Sequence, residues 1–468
     1  MTAQTILPAN SVTASGYDVA NSCRFDGSSS YMQKTLGAPT SAKKATFSLW
    51  FKTSDTIAGN GGRCLMSWGD DAGAIYVNET NDGQWEINLD NSDGLYKGTA
   101  GGQLSRDPAA WSHLCLIIDT TNDTANDRFQ FFLNNVRVVF SANNNNNPDE
   151  DYDVAGLADG QVIAVGRRHS TTSLYYSGYM AEVCFIDGNN LAATNFGEVD
   201  EDSGIFKPID VSGLTFGNNG FYLDFQASGN LGNDANGGTD LTESGLAAVD
   251  QSTDTCTNNF ATWNSLDNFW QVATFSEGNV KIITNSGKYT YSTSNIGVTS
   301  GKWYVEVKHT AHSEDDGNNY AEIGIASVLA VSATDYLGQA ATNWRYYGDG
   351  TIRNNGSNSN YGNAYDVGDI IGIALNLDDN ELKFYKNGTV QNSGTAIAIT
   401  AAASTPIGAY FIAVNYYDGA DTGTFEVNFG NPSFTGTDQA DGNGFGSFEY
   451  APPSGFLAIC TKNLAENG

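Results

Sequence analysis

The feature that most constrains this chain is a regular alternation of short apolar runs with turn residues. Runs rich in β-branched and aromatic residues occur at 45–51, 113–118 and 161–166, and clusters of Gly, Asn and Asp separate them. Short runs at this spacing are typical of β-strands joined by tight turns, and they are too short for long amphipathic helices. The sequence therefore predicts an all-β fold built from β-sandwiches.

Composition and charge limit the partners that the protein can bind. The 468 residues are 40% hydrophobic, which supports packed cores, and carry a formal net charge of −31. Such a charge repels nucleic-acid phosphates and anionic lipid head groups, so we expect neither a nucleic-acid partner nor membrane insertion. No stretch approaches the roughly 18 apolar residues of a membrane-spanning helix, and residues 1–8 lack the basic and apolar parts of a secretion signal.

Cysteine and histidine usage argues against disulfides and against a histidine-rich metal site. The six cysteines are far apart, with no Cys-x-x-Cys pair and no histidine at zinc spacing, and the chain has only four histidines. Widely separated cysteines of this kind are typical of buried free thiols made in a reducing compartment.

Two strand-rich blocks flank a stretch in which Gly and Asn crowd together. The sequence predicts an N-terminal arm (1–14), a first β-sandwich (15–207), a Gly/Asn-rich connector (208–268), a second β-sandwich (269–450) and a C-terminal tail (451–468). One strand-like run, 221–225, interrupts the connector, so we expect the connector to dock on its neighbours. In the second block, Asn387-Gly388 supplies the positive φ angles of a type I′ hairpin turn.

The first block resembles a laminin-G-like, concanavalin-A-like jelly roll. The resemblance depends on motifs at 23–28 with Tyr31, at 46–51, 111–114, 132–136 and 176–183. The family usually has Asn-Gly in the fourth motif, where this chain has Asn134-Asn135. Because Asn tolerates the left-handed conformation next best after Gly, we expect the hairpin to form. The turn after Phe25 contains Asp26, whose carboxylate we expect to cap local backbone N–H groups.

The second block resembles a SPRY domain. Its motifs fall in that family's order and spacing: Ser-Gly-Lys-Trp-Tyr-Val-Glu-Val at 300–307, Ile-Gly-Ile-Ala at 323–326, Asp-Val-Gly-Asp-Ile-Ile-Gly at 366–372 and Leu-Lys-Phe-Tyr-Lys-Asn-Gly at 382–388. The resemblance implies a second sandwich in which loops at one edge form the ligand surface.

The segments between the two blocks and at the end of the second block resemble virion-associated proteins of tailed, mostly marine, bacteriophages. The similar segments are 185–198, 220–225, 257–264 and 450–464, so the resemblance covers nearly the whole chain. It implies a structural or adhesive protein located in the virion after synthesis in the bacterial host cytoplasm. Its partners would be other virion proteins.

Enzymatic motifs are weak, and we expect no catalytic activity. Retaining glycosidases on concanavalin-A-like folds commonly use Glu-x-Asp-x-Glu on one strand, because two carboxyl groups must lie about 5–5.5 Å apart. The nearest match, 198–202, ends in Asp and follows Gly197, which favours a solvated acidic loop. Cys184 and His169 lack the glycines of a nucleophile elbow, so we assign both to structure.

No cofactor is expected, although Ca²⁺ stays open because acidic clusters and a strongly negative charge favour counter-ions. Calcium needs six to eight oxygen ligands from several loops, and no cluster matches an EF-hand. The candidate calcium ligands are Asp70, Asp71, Asp149, Asp151 and Asp153, with 314–316 as a further acidic cluster.

Aromatic clusters in polar surroundings are the candidate ligand-binding residues, because a pyranose ring can lie flat on an aromatic face. The candidates are Tyr175, Tyr176, Trp344, Arg345, Tyr346, Tyr347, Tyr416 and Tyr417. Packing in a core or between subunits is the alternative for each of them. Trp50, Trp111 and Trp303 are assigned to sandwich cores.

The sequence thus favours a bacteriophage tail-fibre or appendage adhesin that binds host-surface glycan or protein. Several copies acting together would strengthen weak single sites, so we expect a homo-oligomer. By analogy with fibre proteins, we suggest a trimer. One alternative is a capsid decoration or tail-assembly protein with only protein contacts. A second, weaker alternative is a polysaccharide depolymerase.

Overall fold

The computed structural model describes residues 16–54, 63–69, 73–78, 84–90, 95–98, 107–139, 147–169, 174–313, 319–417, 421–434 and 436–468. These residues form two compact units, one ending at Thr257 and one beginning at Asn258. The division falls inside the stretch 208–268 that the sequence predicts as a connector. Among the described residues, no helix is long and apolar enough to cross a membrane.

The first unit contains seventeen short strands and four 3₁₀ turns within its described residues. The strands are β1 (Ser22–Asp26), β2 (Tyr31–Thr35), β3 (Lys44–Thr53), β4 (Arg63–Trp68), β5 (Gly73–Asn78), β6 (Gln84–Asp90), β7 (Leu95–Gly98), β8 (Ser112–Asp119), β9 (Phe129–Leu133), β10 (Val136–Arg137), β11 (Val162–Val165), β12 (Ser177–Asp187), β13 (Gly197–Val199), β14 (Phe206–Pro208), β15 (Phe221–Leu223), β16 (Thr242–Ser244) and β17 (Gln251–Ser252). The 3₁₀ turns are Ala125–Asp127, Ala155–Leu157, Ala193–Asn195 and Ala248–Asp250.

Two antiparallel sheets enclose the core of the first unit. One has the order β10-β9-β8-β3-β12-β1-β17, with β15 also paired to β12, and the other has the order β16-β2-β11-β4-β5-β6-β7. Phe47 stacks on Trp68 at 4.5 Å and on Phe185 at 4.9 Å between ring centroids, which ties the central strands together. Strands β15, β16 and β17 come from the predicted connector, so this segment is part of the sandwich.

The second unit has sixteen strands, two 3₁₀ turns and one short helix among its described residues. The strands are β18 (Thr274–Ser276), β19 (Lys281–Ile283), β20 (Ser292–Thr293), β21 (Lys302–His312), β22 (Ala321–Ala326), β23 (Trp344–Tyr347), β24 (Thr351–Asn354), β25 (Ser357–Asn360), β26 (Ile370–Asn376), β27 (Glu381–Lys386), β28 (Thr389–Val390), β29 (Ile397–Ala398), β30 (Phe411–Tyr416), β31 (Gly423–Asn428), β32 (Gln439–Ala440) and β33 (Ser447–Phe448). The 3₁₀ turns are Asn392–Gly394 and Ala402–Ser404, and the helix α1 is Thr461–Asn467.

Two larger antiparallel sheets form the sandwich of the second unit. One follows β18-β19-β31-β21-β26-β27-β28, with β29 on β27, and the other follows β20-β30-β22-β23-β24-β25. Side chains alternate between the two faces of each strand. On β22, for example, Ala321, Ile323 and Ile325 belong to the core, while Glu322 and Gly324 point away from it. The all-β prediction of two sandwiches is confirmed.

Buried Glu306 holds the C-terminal segment on the outer face of the sheet that contains β21. Its carboxylate accepts hydrogen bonds from the backbone N–H groups of Glu449 at 2.9 Å and Tyr450 at 2.8 Å, and from the Asn428 amide at 3.1 Å. The Phe448 ring packs beside Tyr304, with 5.0 Å between centroids. The C-terminal segment thereby covers this face of the sandwich with apolar side chains.

Several local predictions from the sequence are confirmed. Asn134 and Asn135 have φ angles of 47° and 63°, and Asn387 and Gly388 have 46° and 75°, as the two hairpin turns require. Asp26 Oδ1 accepts backbone hydrogen bonds from three successive residues that begin at Ser28, all of 2.8–2.9 Å. All six cysteines are free and buried, and Trp50, Trp111 and Trp303 are buried as well.

Glu306 should make the second unit less stable as the pH rises. Burial raises the pKa of Glu306 to about 7, against the hydrogen bonds that lower it. A folded-state pKa above the unfolded value means that the native state binds the proton more tightly. The contribution of Glu306 to stability is therefore fully present below pH 4.5 and is lost as the pH passes through 7. Between pH 5 and 8, wild type should lose about 2 kcal/mol of unfolding free energy relative to Glu306→Gln.

Urea unfolding of both proteins at the two pH values measures this difference. His309, whose pKa burial lowers to about 4, titrates with the opposite sign but is common to both proteins, so it cancels. A difference that does not change with pH would contradict the assignment.

Candidate binding face

The outer face of the sheet that contains β22 carries a group of tyrosines, which we call the tyrosine face. It consists of Tyr289, Tyr336, Tyr347 and Tyr417, together with the arginines Arg345 and Arg353. Strand alternation places the members that lie on strands outside the core: on β23, Arg345 and Tyr347 point outward while Tyr346 belongs to the core. Tyr417 follows the core residue Tyr416 and therefore points to the same outer side.

A buried ion pair holds the centre of the tyrosine face. The guanidinium of Arg345 lies against the carboxylate of Glu322, and both side chains are nearly inaccessible to solvent. The register places Gly324 opposite Arg345 and Tyr347 opposite Glu322, so the two charges are diagonal neighbours on β22 and β23. Gly324 is required there because a Cβ atom would lie 1.9 Å from the carbonyl oxygen of Trp344.

Arg345 also lies between two tyrosine rings. Its guanidinium carbon is 4.4 Å from the ring centroid of Tyr347 and 5.2 Å from that of Tyr417. Burial, and to a smaller extent Arg353, lowers the pKa of Arg345 to about 10, which leaves it charged at neutral pH. A cation at these distances is attracted to the ring faces, so Arg345 fixes the positions of both tyrosines.

The remaining tyrosines extend this surface. The ring centroid of Tyr417 is 5.0 Å from that of Tyr289 and 5.4 Å from that of Tyr336. Arg353 lies over the Tyr336 ring at 4.2 Å and donates a hydrogen bond to its hydroxyl. Tyr289 is 37% exposed, and the other three tyrosines are partly exposed. The rings of Tyr289, Tyr336 and Tyr417 are thus in contact, Arg345 links Tyr347 to them, and solvent reaches all four rings.

A cleft of about 510 Å³ adjoins the tyrosine face. Tyr347 belongs to both the tyrosine face and the cleft. Tyr320 also lines the cleft, and the centroids of the two rings are 6.4 Å apart. The polar side chains that line the cleft are Asn319, Asp349, Asp366, Asp369 and Lys386. Lys386 Nζ lies 3.0 Å from Asp369 Oδ2, so one of the carboxylates is neutralised by a lysine. An aromatic surface beside carboxylates and amides can hold a ring on one side and bond its hydroxyls on the other.

The candidate residues from the sequence divide between the surface and the cores. Arg345, Tyr347 and Tyr417 lie together on the tyrosine face, whereas Trp344, Tyr346 and Tyr416 instead pack in or against the core of the same unit. In the first unit, Tyr176 is buried in the core, and Tyr175 is half-buried beside Tyr31, with 6.3 Å between ring centroids.

Sequence reasoning missed Glu322, Tyr289, Tyr336 and Arg353. A signal existed for Glu322, because a carboxylate inside the apolar run 321–326 needs a buried partner. Tyr289 and Tyr336 come from loops, and only the fold brings their rings to Tyr417.

Within the part of the chain that the structure describes, the candidate calcium ligands are not grouped as a metal site. Asp70, Asp71 and residues 314–316 lie outside the described residues. Asp149, Asp151 and Asp153 are exposed, and Asp151 pairs with Lys43 at 3.1 Å. The acidic loop at 198–202 surrounds a lysine, since Glu198 and Asp200 both contact Lys207, at 3.4 and 3.1 Å.

Family comparisons agree with this architecture. Residues 26–189 match the concanavalin A-like lectin/glucanases superfamily, and residues 302–431 match the SPRY domain. The chain therefore carries a concanavalin A-like domain followed by a SPRY domain. The tyrosine face and the cleft belong to the unit that contains the SPRY domain.

Similar solved structures are distant. The SPRY domain of human HERC1 is 19% identical, covers 34% of this chain and 92% of its own, and has a TM-score of 0.28. The TRIM65 PSpry domain is 12% identical over 36% of this chain and 89% of its own, with a TM-score of 0.26. A candidate carbohydrate-binding protein from Bacteroides ovatus ATCC 8483 is 14% identical over 48% of this chain and 58% of its own, with a TM-score of 0.32. Comparison with curated protein sequences gives no match.

Removing one partner of the central ion pair should destabilise the SPRY unit more than removing both. Arg345→Met leaves the Glu322 carboxylate buried without its cation, and we expect a loss of about 3–5 kcal/mol. The double variant Arg345→Met, Glu322→Met removes both charges and should recover most of that loss. Thermal and urea unfolding of the single and double variants measure both effects. A loss in the double variant equal to the sum of the losses in Arg345→Met and Glu322→Met would show that the charges are not coupled.

Proposed function

We propose that this protein is a non-enzymatic adhesin that binds a neutral glycan on the tyrosine face of its SPRY domain. The observation that carries this proposal is the partly exposed row of tyrosine rings, fixed by the buried Arg345 and continuous with a cleft lined by carboxylates and amides. Rings held in place before binding lose little conformational freedom, which favours affinity.

The chemistry of the surface favours a sugar over an anionic ligand. Aromatic faces suit the C–H side of a pyranose, while Asp349, Asp366 and Asn319 offer acceptors and donors for hydroxyl groups. The net charge of −31 and the carboxylates of the cleft repel sulfated or uronic polymers. A protein ligand is the alternative, because tyrosine and arginine are also enriched at protein interfaces.

Asp369 in the cleft does not fit the general acid of a hydrolytic mechanism. A glycosidase needs a general acid with a raised pKa beside a second carboxylate. Burial raises the pKa of Asp369, but hydrogen bonds from Asp366, Asn387 and Lys386 outweigh it and leave the pKa below its ordinary value. A depolymerase is therefore the weaker proposal. New reducing ends after incubation with host exopolysaccharide would overturn the non-enzymatic part of this proposal.

Substitution of the face tyrosines should weaken glycan binding without unfolding the protein. Tyr347→Ala and Tyr417→Ala each remove one stacking surface, and each should weaken binding to host-envelope glycans at least about tenfold. Glycan arrays followed by surface plasmon resonance measure this effect. Phe269→Ala is the matched control, since Phe269 is 79% exposed on the same unit and its ring contacts Trp270. Equal binding by all three variants would contradict the proposal.

We further propose that the adhesin is a tail-fibre or appendage protein of a bacteriophage virion and acts as a homo-oligomer, for which we suggest a trimer. The support is the similarity of the joints between the domains to virion-associated proteins. Several copies on one particle would turn weak single sites into firm attachment. The alternative in the same setting is a capsid decoration or tail-assembly protein that contacts only other virion proteins.

Immunogold electron microscopy of intact particles tests the location. An antibody raised against residues 269–450 should label the tail or fibre tips. Label spread over the head shell would favour the decoration protein, and the tyrosine face would then be a contact between virion subunits.

A further inference from the structure

A β-bulge brings two histidines of β21 to the same side of the sheet. Residues three apart on a regular strand point to opposite faces. In β21, however, the register with β31 shifts between His309 and Ala311, which inserts one extra residue. The rings of His309 and His312 therefore lie together, with 5.1 Å between their centroids.

A tight turn places Asp366 beside this pair. The backbone N–H of His309 donates to the carbonyl of Asp369 at 3.1 Å, and the N–H of Gly368 donates to the carbonyl of His309 at 2.8 Å. These two bonds fix the turn 366–369 against β21. Asp366 Oδ1 then lies 3.9 Å from His312 Nδ1. One potential ligand atom from each of His309, His312 and Asp366 lies within 4.8 Å of the others.

His309 is a buried histidine whose polar atoms are not satisfied within the described structure. Its side chain is fully buried and stacks on Phe425, and neither ring nitrogen has a hydrogen-bond partner there. Leaving a buried polar group without a partner is costly. His113, which is equally buried, differs because its Nε2 lies 2.8 Å from the hydroxyl of Ser48. A ligand that accepts an imidazole lone pair would satisfy His309.

We propose that His309, His312 and Asp366 form a binding site for a divalent transition metal ion, with Zn²⁺ as the best fit. Two imidazoles and one carboxylate are a ligand set that zinc takes, and they leave a fourth tetrahedral position open. Zinc bonds of about 2.0–2.2 Å hold ligand atoms roughly 3.4 Å apart, so modest side-chain rotations complete the geometry. Asp366 also lines the cleft, so the proposed site adjoins it, and the open position can hold water or a ligand oxygen.

The test is a zinc titration of the untagged, full-length protein after treatment with a chelator. Competition with a chromophoric chelator should give one tight site per chain. His312→Gln and Asp366→Asn should each raise its dissociation constant at least about tenfold. Asp349→Asn is the matched control, because Asp349 lines the same cleft and the substitution removes the same charge. The zinc affinity of this variant should match that of wild type.

Three outcomes would overturn the proposal: no zinc bound, zinc binding unchanged in both ligand variants, or displacement of the zinc by an equal concentration of Ca²⁺. Circular dichroism and thermal unfolding of the variants verify that they are folded. Both changed residues are at least partly exposed, unlike His309. Because the probe is the metal alone, the result does not depend on whether a glycan binds.

Discussion

Each sheet of a β-sandwich has a second face that the core does not cover, and the SPRY unit treats its two outer faces differently. On one sheet the C-terminal segment covers the outer face, held by the backbone N–H groups of Glu449 and Tyr450, which donate hydrogen bonds to the buried carboxyl group of Glu306. On the other sheet, the outer face carries a partly exposed row of tyrosines. Partly exposed aromatic surface of this kind is a usual mark of a ligand site.

The ion pair between Arg345 and Glu322 determines the form of that uncovered face. Desolvation cancels much of the attraction in a buried pair, so its net contribution to stability is small. Its consequence is positional, because the guanidinium is fixed from below by a carboxylate and from the sides by the rings of Tyr347 and Tyr417. A lysine would lack the planar group that contacts both rings and the carboxylate together.

The local features of the fold follow from the sequence because they depend on nearby residues. Turn residues such as Asn134-Asn135 and Asn387-Gly388 specify their own φ angles, and apolar runs specify strands. The sheet partners of β15–β17 could not be predicted in this way, since each pairs with a strand far away in sequence. In a doublet such as Tyr416-Tyr417, alternation shows that the side chains diverge but not which of them enters the core. The bulge after His309 leaves no clear trace in the sequence, because it arises from the pairing with β31.

The central claim is that the uncovered tyrosine face binds the ligand, and a crystal structure of the protein with a bound host-surface oligosaccharide tests it most directly. The account predicts a sugar ring stacked on Tyr347 or Tyr417, with hydroxyl groups bonded to the side chains of the adjoining cleft. An ordered sugar on the concanavalin A-like domain, with none on the tyrosine face, would contradict it.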